Sequence, residues 1–407
     1  MTIEEKFTQT VADGRNAFLT GAGGTGKTTL MRRTIAQDPD RFSVTASTGI
    51  AALNAGGATL HRWSGMMLGP QDGQSDENYF SDLMNDPRRS IQAGFERIRS
   101  CRTLVVDEIS MLNGRTLGFL DFLCRKLRRD ERPFGGIQII VTGDVCQLPP
   151  VSKTGQYDWA FQSRAWKDAN FQVIHLTEVK RQDDADFVRA LSEFRLGVLG
   201  TSSAKLLRSR IAQFPDADLT RLFTHNAMVD RWNAYRLGEI DAEPRVFEAE
   251  LTGPESQQQF LINNLLTPRE LVLKPGAHVM FTVNSAEGGF VNGQTGVVAD
   301  LGYRQISVES EGKVIQVDPF TWQFDSKDRQ SATFIQFPLR LSWSLTVHKA
   351  QGLTLDSAYI DVRAAREPGQ AYVALSRVRK LSGLNLKSWF SGIYVSRAAV
   401  DFYLNSQ

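Results

Sequence analysis

The sequence predicts an α/β protein built of two parallel-sheet P-loop cores, with a small insertion in the first core and an all-β insertion in the second. Three observations predict it. Short apolar runs rich in β-branched residues (17–19, 43–46, 104–106 and 137–141) alternate with helical stretches, the texture of strands buried on both faces of a parallel sheet. A glycine-rich segment of the form GxxxxGK[ST], residues 21–28, stands between the first of these runs and a helix over 29–36. From 271 to 337 the texture changes to short strands at 279–283, 296–298, 305–308 and 313–317. Gly, Asn and Asp separate them, which reads as a β module set into an α/β domain.

The other elements follow in chain order. Residues 65–85 turn polar and rich in Gly, Asp, Ser and Asn, an insertion on the surface of the first core. After Pro150 a second α/β unit begins, with strands at 173–176 and 222–224 and helices at 187–199 and 228–237. The pattern resumes at Leu339 through a strand at 358–362, a helix at 370–376, a strand at 384–386 and a closing helix at 396–404. The expected division is therefore 1–62 with 101–172 for the first core and 63–100 for its insertion. The second core takes 173–265 with 339–407, and the β insertion takes 266–338.

Bulk composition excludes several classes. The chain has 407 residues, 42% hydrophobic, enough for two or three domains, and no apolar run approaches the ~20 residues of a membrane span. The first ten residues are polar and acidic, unlike a secretory or transit peptide. Cys101, Cys124 and Cys146 form no CxxC pair, so reduced, buried thiols in the cytoplasm are expected. A net charge of +2 is too small to argue for nucleic acid, so any such argument must be local.

In Gly21-Ala-Gly23-Gly24-Thr25-Gly26-Lys27-Thr28 the glycines let backbone N–H groups curl round phosphates, Lys27 reaches the β- and γ-phosphates, and the Thr28 hydroxyl can ligate Mg²⁺. Thr29 continues into the helix, whose N-terminal dipole favours the same anion. The strand Leu104-Val-Val ends in Asp107 and Glu108, placed to serve the metal and to deprotonate an attacking water respectively. Alone, such an acidic pair is as often a helix cap; after a P-loop it reads as catalytic. A third strand ends in Gly-Asp144-Val-Cys-Gln147-Leu-Pro149-Pro150-Val151. Gln147 can sense a γ-phosphate, or it can be a structural amide in a Pro-terminated loop. Transition-state charge asks for a further cation. Arg181, in LTEVKRQ, and Arg377, in YVALSR, each follow an α/β element and could project from its edge, although a lone Arg is usually a solvated surface charge.

Taken in order, TGAGGTGKTTL, ASTGIAALNAGGATLHRWSG, VVDEISML, PFGGIQIIVTGDVCQLPPV, LTEVKRQ, SWSLTVHKAQGLTLD and AYVALSRV resemble superfamily 1 helicases, and among them the PIF-type DNA helicases with their RecD/Dda relatives. The resemblance runs from about Phe18 to Ser388, and Phe134-Gly-Gly-Ile-Gln138 resembles the signature of PIF-type enzymes. It implies two RecA-like cores with ATP between them, single-stranded DNA across their top, and 5′→3′ travel driven by ATP with Mg²⁺. It places arginine fingers at Arg181 and Arg377 and a nucleotide contact at Gly352. DNA contacts fall at Ser47, Thr48, Gly49, Thr59, His61, Pro150, Val151, Thr346, His348 and Lys349. Hydroxyls, amides and a Lys suit phosphates bound without sequence readout, whereas His61 and His348 would otherwise read as satisfied structural histidines. Met66, Met67 and Leu68, between Gly65 and Gly69, fall on the strand-separating wedge; most apolar triplets are simply core. The β module, with Phe290-Val-Asn-Gly293, resembles the SH3-like insertion. Single-stranded and tailed duplex DNA are the implied partners, a monomer the implied free state, and repair, recombination and telomere maintenance the implied settings.

The chain departs from this pattern at three places. The upstream Gln that reads adenine falls near Glu4, with Gln9 offset; Lys180 replaces an apolar residue before Arg181; and Ala350 replaces a Ser. A nucleotide-driven switch that binds nucleic acid without unwinding it, and a small-molecule kinase, remain as other readings of a P-loop. The kinase requires neither a second α/β core nor hydroxyl-rich loops.

Overall fold

The computed structural model describes residues 2–70, 73–152, 154–212, 219–285, 289–324, 332–389 and 392–406. The chain forms two compact units: Met1–Lys180 with Glu367–Gly369 and Val395–Gln407, and Arg181–Arg366 with Gln370–Tyr394.

The first unit is organised on a parallel sheet of β1 (Ala17–Gly21), β2 (Phe42–Ala46), β3 (Ala58–Thr59), β4 (Thr103–Asp107), β5 (Gln138–Gly143) and β6 (Gln172–Leu176), in the order β3-β2-β4-β5-β1-β6. All five residues of β1 and of β4 and all six of β5 are buried, as strands covered on both faces must be. The helix after β1 is Lys27–Ile35, two residues earlier than the sequence suggested. Phe7 and Val11 of helix Ile3–Ala12, which carries a Thr2/Glu5 capping box, join Leu19, Leu30, Met31, Val105 and Ile140 in one core cluster. The polar stretch after Gly65 folds into helices Asp76–Met84 and Arg89–Ser100.

Two assignments need correction. The strand at 173–176 does not begin the second core: β6 pairs with β1 along its whole length, from Ala17↔Gln172 to Gly21↔Leu176. The closing helix, Arg397–Asn405, also belongs to the first unit. Phe402 stacks on Phe161 at 4.3 Å between ring centroids and meets Trp166 at 5.8 Å, and the His175 ring is 2.8 Å from the Ser406 carbonyl. Neither placement could be read from a run of apolar residues, because both depend on partners distant in sequence.

The second unit holds a parallel sheet with the order Ser344–Thr346, Arg221–Phe223, Ala358–Ile360, Leu384–Leu386. Its β insertion is larger than the expected 266–338. Arg245–Glu248 pairs with Glu270–Leu273, and Glu250–Thr252 pairs with Ala332–Gln336, so the module draws in strands upstream. Downstream, Leu339–Leu341 completes a five-stranded antiparallel sheet through His278–Phe281. Its core gathers Leu271, Val279, Phe281, Val308 and Trp343, all at most 1% exposed.

Candidate nucleotide site and nucleic-acid interface

β1 ends in a loop whose course depends on glycine at positions 21, 24 and 26. A Cβ on Gly21 would lie 2.4 Å from the Leu176 carbonyl oxygen, so β6 and the loop approach as closely as they do because no side chain intervenes. Gly24 (φ 86) and Gly26 (φ 87) take the left-handed region, and Gly26 caps helix Lys27–Ile35 without a side chain. The loop holds itself: Thr25 Oγ1 donates to the Ala22 carbonyl at 2.9 Å, and Lys180 N donates to the Gly24 carbonyl at 2.8 Å. Lys27 Nζ donates to the carbonyls of Gly21 (2.9 Å) and Ala22 (3.0 Å), which keeps the ammonium over the loop. Thr28 is half-buried and Thr29 exposed. N–H groups at a helix start, a positive dipole end and an ammonium make a phosphate cradle.

Across β5, β4 delivers Asp107. Burial, with the Glu108 charge adding to it, pushes the Asp107 carboxyl up from the usual carboxylate range, against an opposing bond from Glu108 N to Oδ1 at 2.9 Å and the charge of Lys27. Thr28 and Asp107 offer hard oxygen donors, and a divalent cation would relieve the cost of that buried carboxylate. Glu108 is half-buried in the left-handed region (φ 53), a strain of about 1–3 kcal/mol for a residue with a side chain. The loop after β2 holds it there. Ser47 N donates to the Asp107 carbonyl at 3.1 Å, and Ser47 Oγ donates to the Glu108 carbonyl at 2.7 Å. After β5, Gln147 is buried and its amide donates to Asp144 Oδ2 at 3.4 Å. A Cβ on Gly369 would lie 2.4 Å from the Gln147 carbonyl oxygen, so a bare backbone from far along the chain packs on this loop.

In the second unit Ser376 gathers both candidate arginines. Arg181 Nη1 donates to its carbonyl and Arg181 Nε to Thr354 Oγ1, each at 3.1 Å. Arg377 Nη2 donates to Ser376 Oγ at 2.8 Å, and Arg377 Nε to the Val373 carbonyl at 2.8 Å. The expectation that Arg377 projects from an edge is corrected: it is 2% exposed, with donors turned onto Val373, Ser376 and Leu353. Gly352 lies exposed at φ 83.

Three hydroxyls expected at DNA have a structural bond as well. Thr48, Thr59 and Thr346 each cap a short helix, accepting from the N–H of Ala51, Arg62 and Lys349. A hydroxyl that accepts once still has its own proton to give. Gly49, Pro150 and Thr346 are buried, whereas Val151 and His348 are exposed. Burial lowers His61 from the ordinary imidazole value, which favours the neutral ring over the cation.

Residues 3–197 match the family model for PIF1-like helicases. The ATP-dependent DNA helicase Pif1 of Bdellovibrio bacteriovorus is 36% identical over 395 residues, covering 96% of this chain and 88% of that one. The chain belongs to the PIF1-like helicase family. It spans 59% of the length of the Danio rerio relative. Two crystal structures of a Bacteroides Pif1 superpose on it. The complex with ADP-AlF4 has 31% identity, a TM-score of 0.84 and coverage of 100% of this chain and 96% of that one. The complex with ADP-AlF3 and ssDNA has 31% identity, a TM-score of 0.68 and the same coverages. The two parallel sheets are therefore the two RecA-like cores of a PIF1-like helicase.

Two segments singled out from the sequence resemblance can be placed. At the start of the Phe134–Gln138 signature, in the turn Pro133–Gly136, Phe134 (φ 53), Gly135 and Gly136 turn left-handed in succession and the Phe134 ring is completely buried. Arg128 then donates to the carbonyls of Gly135, Ile98, Arg99 and Cys101, bracing the signature against the C-terminal end of helix Arg89–Ser100. The wedge triplet divides. Met66 is wholly buried, and its carbonyl accepts from Tyr79 Oη at 2.9 Å and from Gly69 N at 3.0 Å, so it is core and not tip. Met67 (φ 53) is 37% exposed and Leu68 83% exposed. Ser47, Thr354, Ser376 and Gly369 were not singled out as positioning groups by sequence reasoning. Only the glycine before an α/β element carried a local signal; the others are recognisable from their partners alone.

Proposed function

We propose that this chain is an ATP-dependent 5′→3′ DNA helicase that moves along single-stranded DNA and separates duplex ahead of it. One observation carries the reading. A phosphate cradle with Lys27 stands on the same sheet as a carboxylate pair, Asp107 and Glu108, and the loop expected to touch DNA is bonded through Ser47 to the backbone of both. Strand binding at 47–49 and hydrolysis at Glu108 therefore share a rigid connection, which is what coupling requires.

Lys27 exchanges its two carbonyl partners for the β- and γ-phosphates, and the backbone N–H groups of 23–28 hold the rest of the triphosphate. Mg²⁺, held by Thr28 and Asp107, would supply charge neutralisation at the phosphates. Glu108, kept in its left-handed turn by Ser47, takes the proton of the attacking water, and Gln147 orients at the γ-phosphate. Lys180, whose backbone is bonded to Gly24, is followed directly in sequence by Arg181, the first candidate finger. Arg181 and Arg377 meet the charge that develops on the transferred phosphoryl group. Thr48, Thr59, Thr346 and Lys349 contact backbone phosphates without reading bases. A monomer that uses tailed duplexes is the simplest form consistent with both sites on one chain.

Unwinding of matched duplexes with a 5′ or a 3′ single-stranded tail tests the proposal. The 5′-tailed substrate should be opened and the 3′-tailed one spared. ATPase activity stimulated by single strands, without unwinding of either substrate, would leave a remodeller instead.

A further inference from the structure

The second unit contains a cavity of about 720 Å³ between helix Asn226–Gly238, the segment 262–274 and strand Leu339–Leu341, a volume within the range of ligand pockets. Arg340 and Lys349 line it. Arg340 is 8% exposed, and its only hydrogen bond among the described residues is a long one, 3.4 Å from Nη1 to the Leu266 carbonyl. Its Nε is buried with no partner. Asp230, on the same wall, lends its charge to both cations from a distance, and no ion pair joins it to either among the described residues. A guanidinium taken out of water without a partner is expensive and is seldom retained for packing alone. Burial lowers both groups, Arg340 to about 10, and the Arg340 charge lowers Lys349 further; Arg340 remains a cation at neutral pH.

We propose that Arg340 and Lys349 form a subsite for one backbone phosphate of the single strand, seated in this cavity. The proposal rests on the helicase reading given above, which already puts Lys349 on the strand. The chemistry matches: a phosphodiester brings one negative charge and two unprotonated oxygens, and the planar fork of Arg340 presents donors in a fixed geometry for such a group. Leu237, Ile262 and Leu271 form the apolar part of the cavity wall. Lys349 lies next to exposed His348, so a strand that passes over His348 needs no detour to place its next phosphate here.

The experiment uses the full chain, fluorescent oligothymidylate and Arg340→Met, which keeps the length of the side chain and removes its charge. Loss of one phosphate contact should lower the slope of log affinity against log salt by about 0.7. The melting temperature without DNA should rise in the same variant, because an uncompensated buried charge has gone. A residue that merely holds the fold would move both readings the other way: a lower melting temperature and an unchanged slope overturn the proposal. Lys349→Gln, which is half-exposed, repeats the slope measurement if Arg340→Met fails to fold; an unchanged slope in it also overturns the subsite. Inorganic phosphate serves as the other source. If it raises the melting temperature of the wild type but not of Arg340→Met, while both slopes stay equal, the cavity takes free phosphate and the strand assignment falls. Wild-type protein that binds no oligothymidylate sinks the helicase reading itself, and the subsite with it.

Discussion

Lys27 in the first unit and Arg377 in the second are both cations whose donors rest on neighbouring protein groups, yet the two arrangements prepare different events. The partners of Lys27 are the carbonyls of Gly21 and Ala22, which belong to the loop that is to hold phosphate. On the proposed function, exchanging them for a γ-phosphate would keep the ammonium at the same loop. Arg377 is fully buried and spends its donors on Val373, Leu353 and Ser376, all in its own unit. It can meet phosphate only after those bonds rearrange. Arg181 lies between these cases: half-buried and bonded to Thr354 and Ser376, it follows directly on a residue tied to the phosphate loop. On the proposed function, the first unit's cation is therefore held ready to bind, and the contribution of the second unit's cation is conditional.

The largest effects should come from removing the fixed partners. Lys27→Ala should abolish hydrolysis, measured as phosphate release with and without single-stranded DNA. Glu108→Gln should keep nucleotide binding while turnover falls about 10²–10⁴-fold, the usual share of a general base. Near-normal turnover in Glu108→Gln would move the base elsewhere and undo the role given to the strained turn.

Next in size are the arginines, and here the contrast sharpens. Arg181→Ala and Arg377→Ala should each cut turnover by about 10³–10⁵-fold if both act as fingers. Only Arg377→Ala should also lower the melting temperature, because it empties a buried site and takes the Arg377 donor from the Leu353 carbonyl, whereas the Val373 carbonyl keeps Ser376 Oγ. An Arg377→Ala protein with a lowered melting temperature and wild-type turnover would make that residue purely structural and leave Arg181 as the finger.

These differences track what the sequence could tell. Gly21, Lys27, Thr28, Asp107 and Glu108 were legible because phosphate and metal chemistry demands those residue types at short, fixed spacings on a strand and the turn after it. Three of the four strands of the second parallel sheet, at 222–224, 358–362 and 384–386, and four strands of the β module were legible for the same local reason, since periodicity and turn residues are adjacent in sequence. What was missed depends on partners far along the chain. β6 completes the first sheet by pairing with β1, 155 positions earlier at Ala17↔Gln172. Phe402 fills a cluster with Phe18, Phe161 and Trp166. Ser47 became informative only through its bonds to Asp107 and Glu108, and Arg340 only through the cavity around it. A lone Arg in an apolar strand run, Leu339-Arg340-Leu341, was the one available hint of the last.

The tip after helix Leu60–Ser64 separates stability from strand separation within one short segment. Met66→Ala should destabilise the protein by about 2–5 kcal/mol, as truncation of a buried methionine does, and lower unwinding and ATPase together. Leu68→Gly, at a site 83% exposed, should leave the melting temperature and DNA-stimulated ATPase near wild type while unwinding of the tailed duplex falls several-fold. Unchanged unwinding in a stable Leu68→Gly protein would show that another element parts the strands.

The smallest effect concerns which base the phosphate loop accepts. Glu4 lies near the place where the sequence resemblance expects an adenine-reading Gln, and its carboxylate accepts from Lys180 Nζ at 3.0 Å, while Lys180 N is bonded to Gly24 of the loop. The position is therefore beside the nucleotide site. Gln9 is turned to Asp13 at the end of its helix, at 2.6 Å, and is no substitute. A carboxylate only accepts hydrogen bonds, whereas the adenine edge offers the N6 donor and the N7 acceptor together, a pair that an amide can satisfy at once. With Glu4 in place the enzyme should discriminate weakly between ATP and GTP. Glu4→Gln should raise the ratio of kcat/KM for ATP over GTP by about tenfold, the order of one bidentate contact, with maximal turnover on ATP unchanged. A ratio that stays at the wild-type value in Glu4→Gln, but collapses in a variant at another position, would place the base reader outside helix Ile3–Ala12.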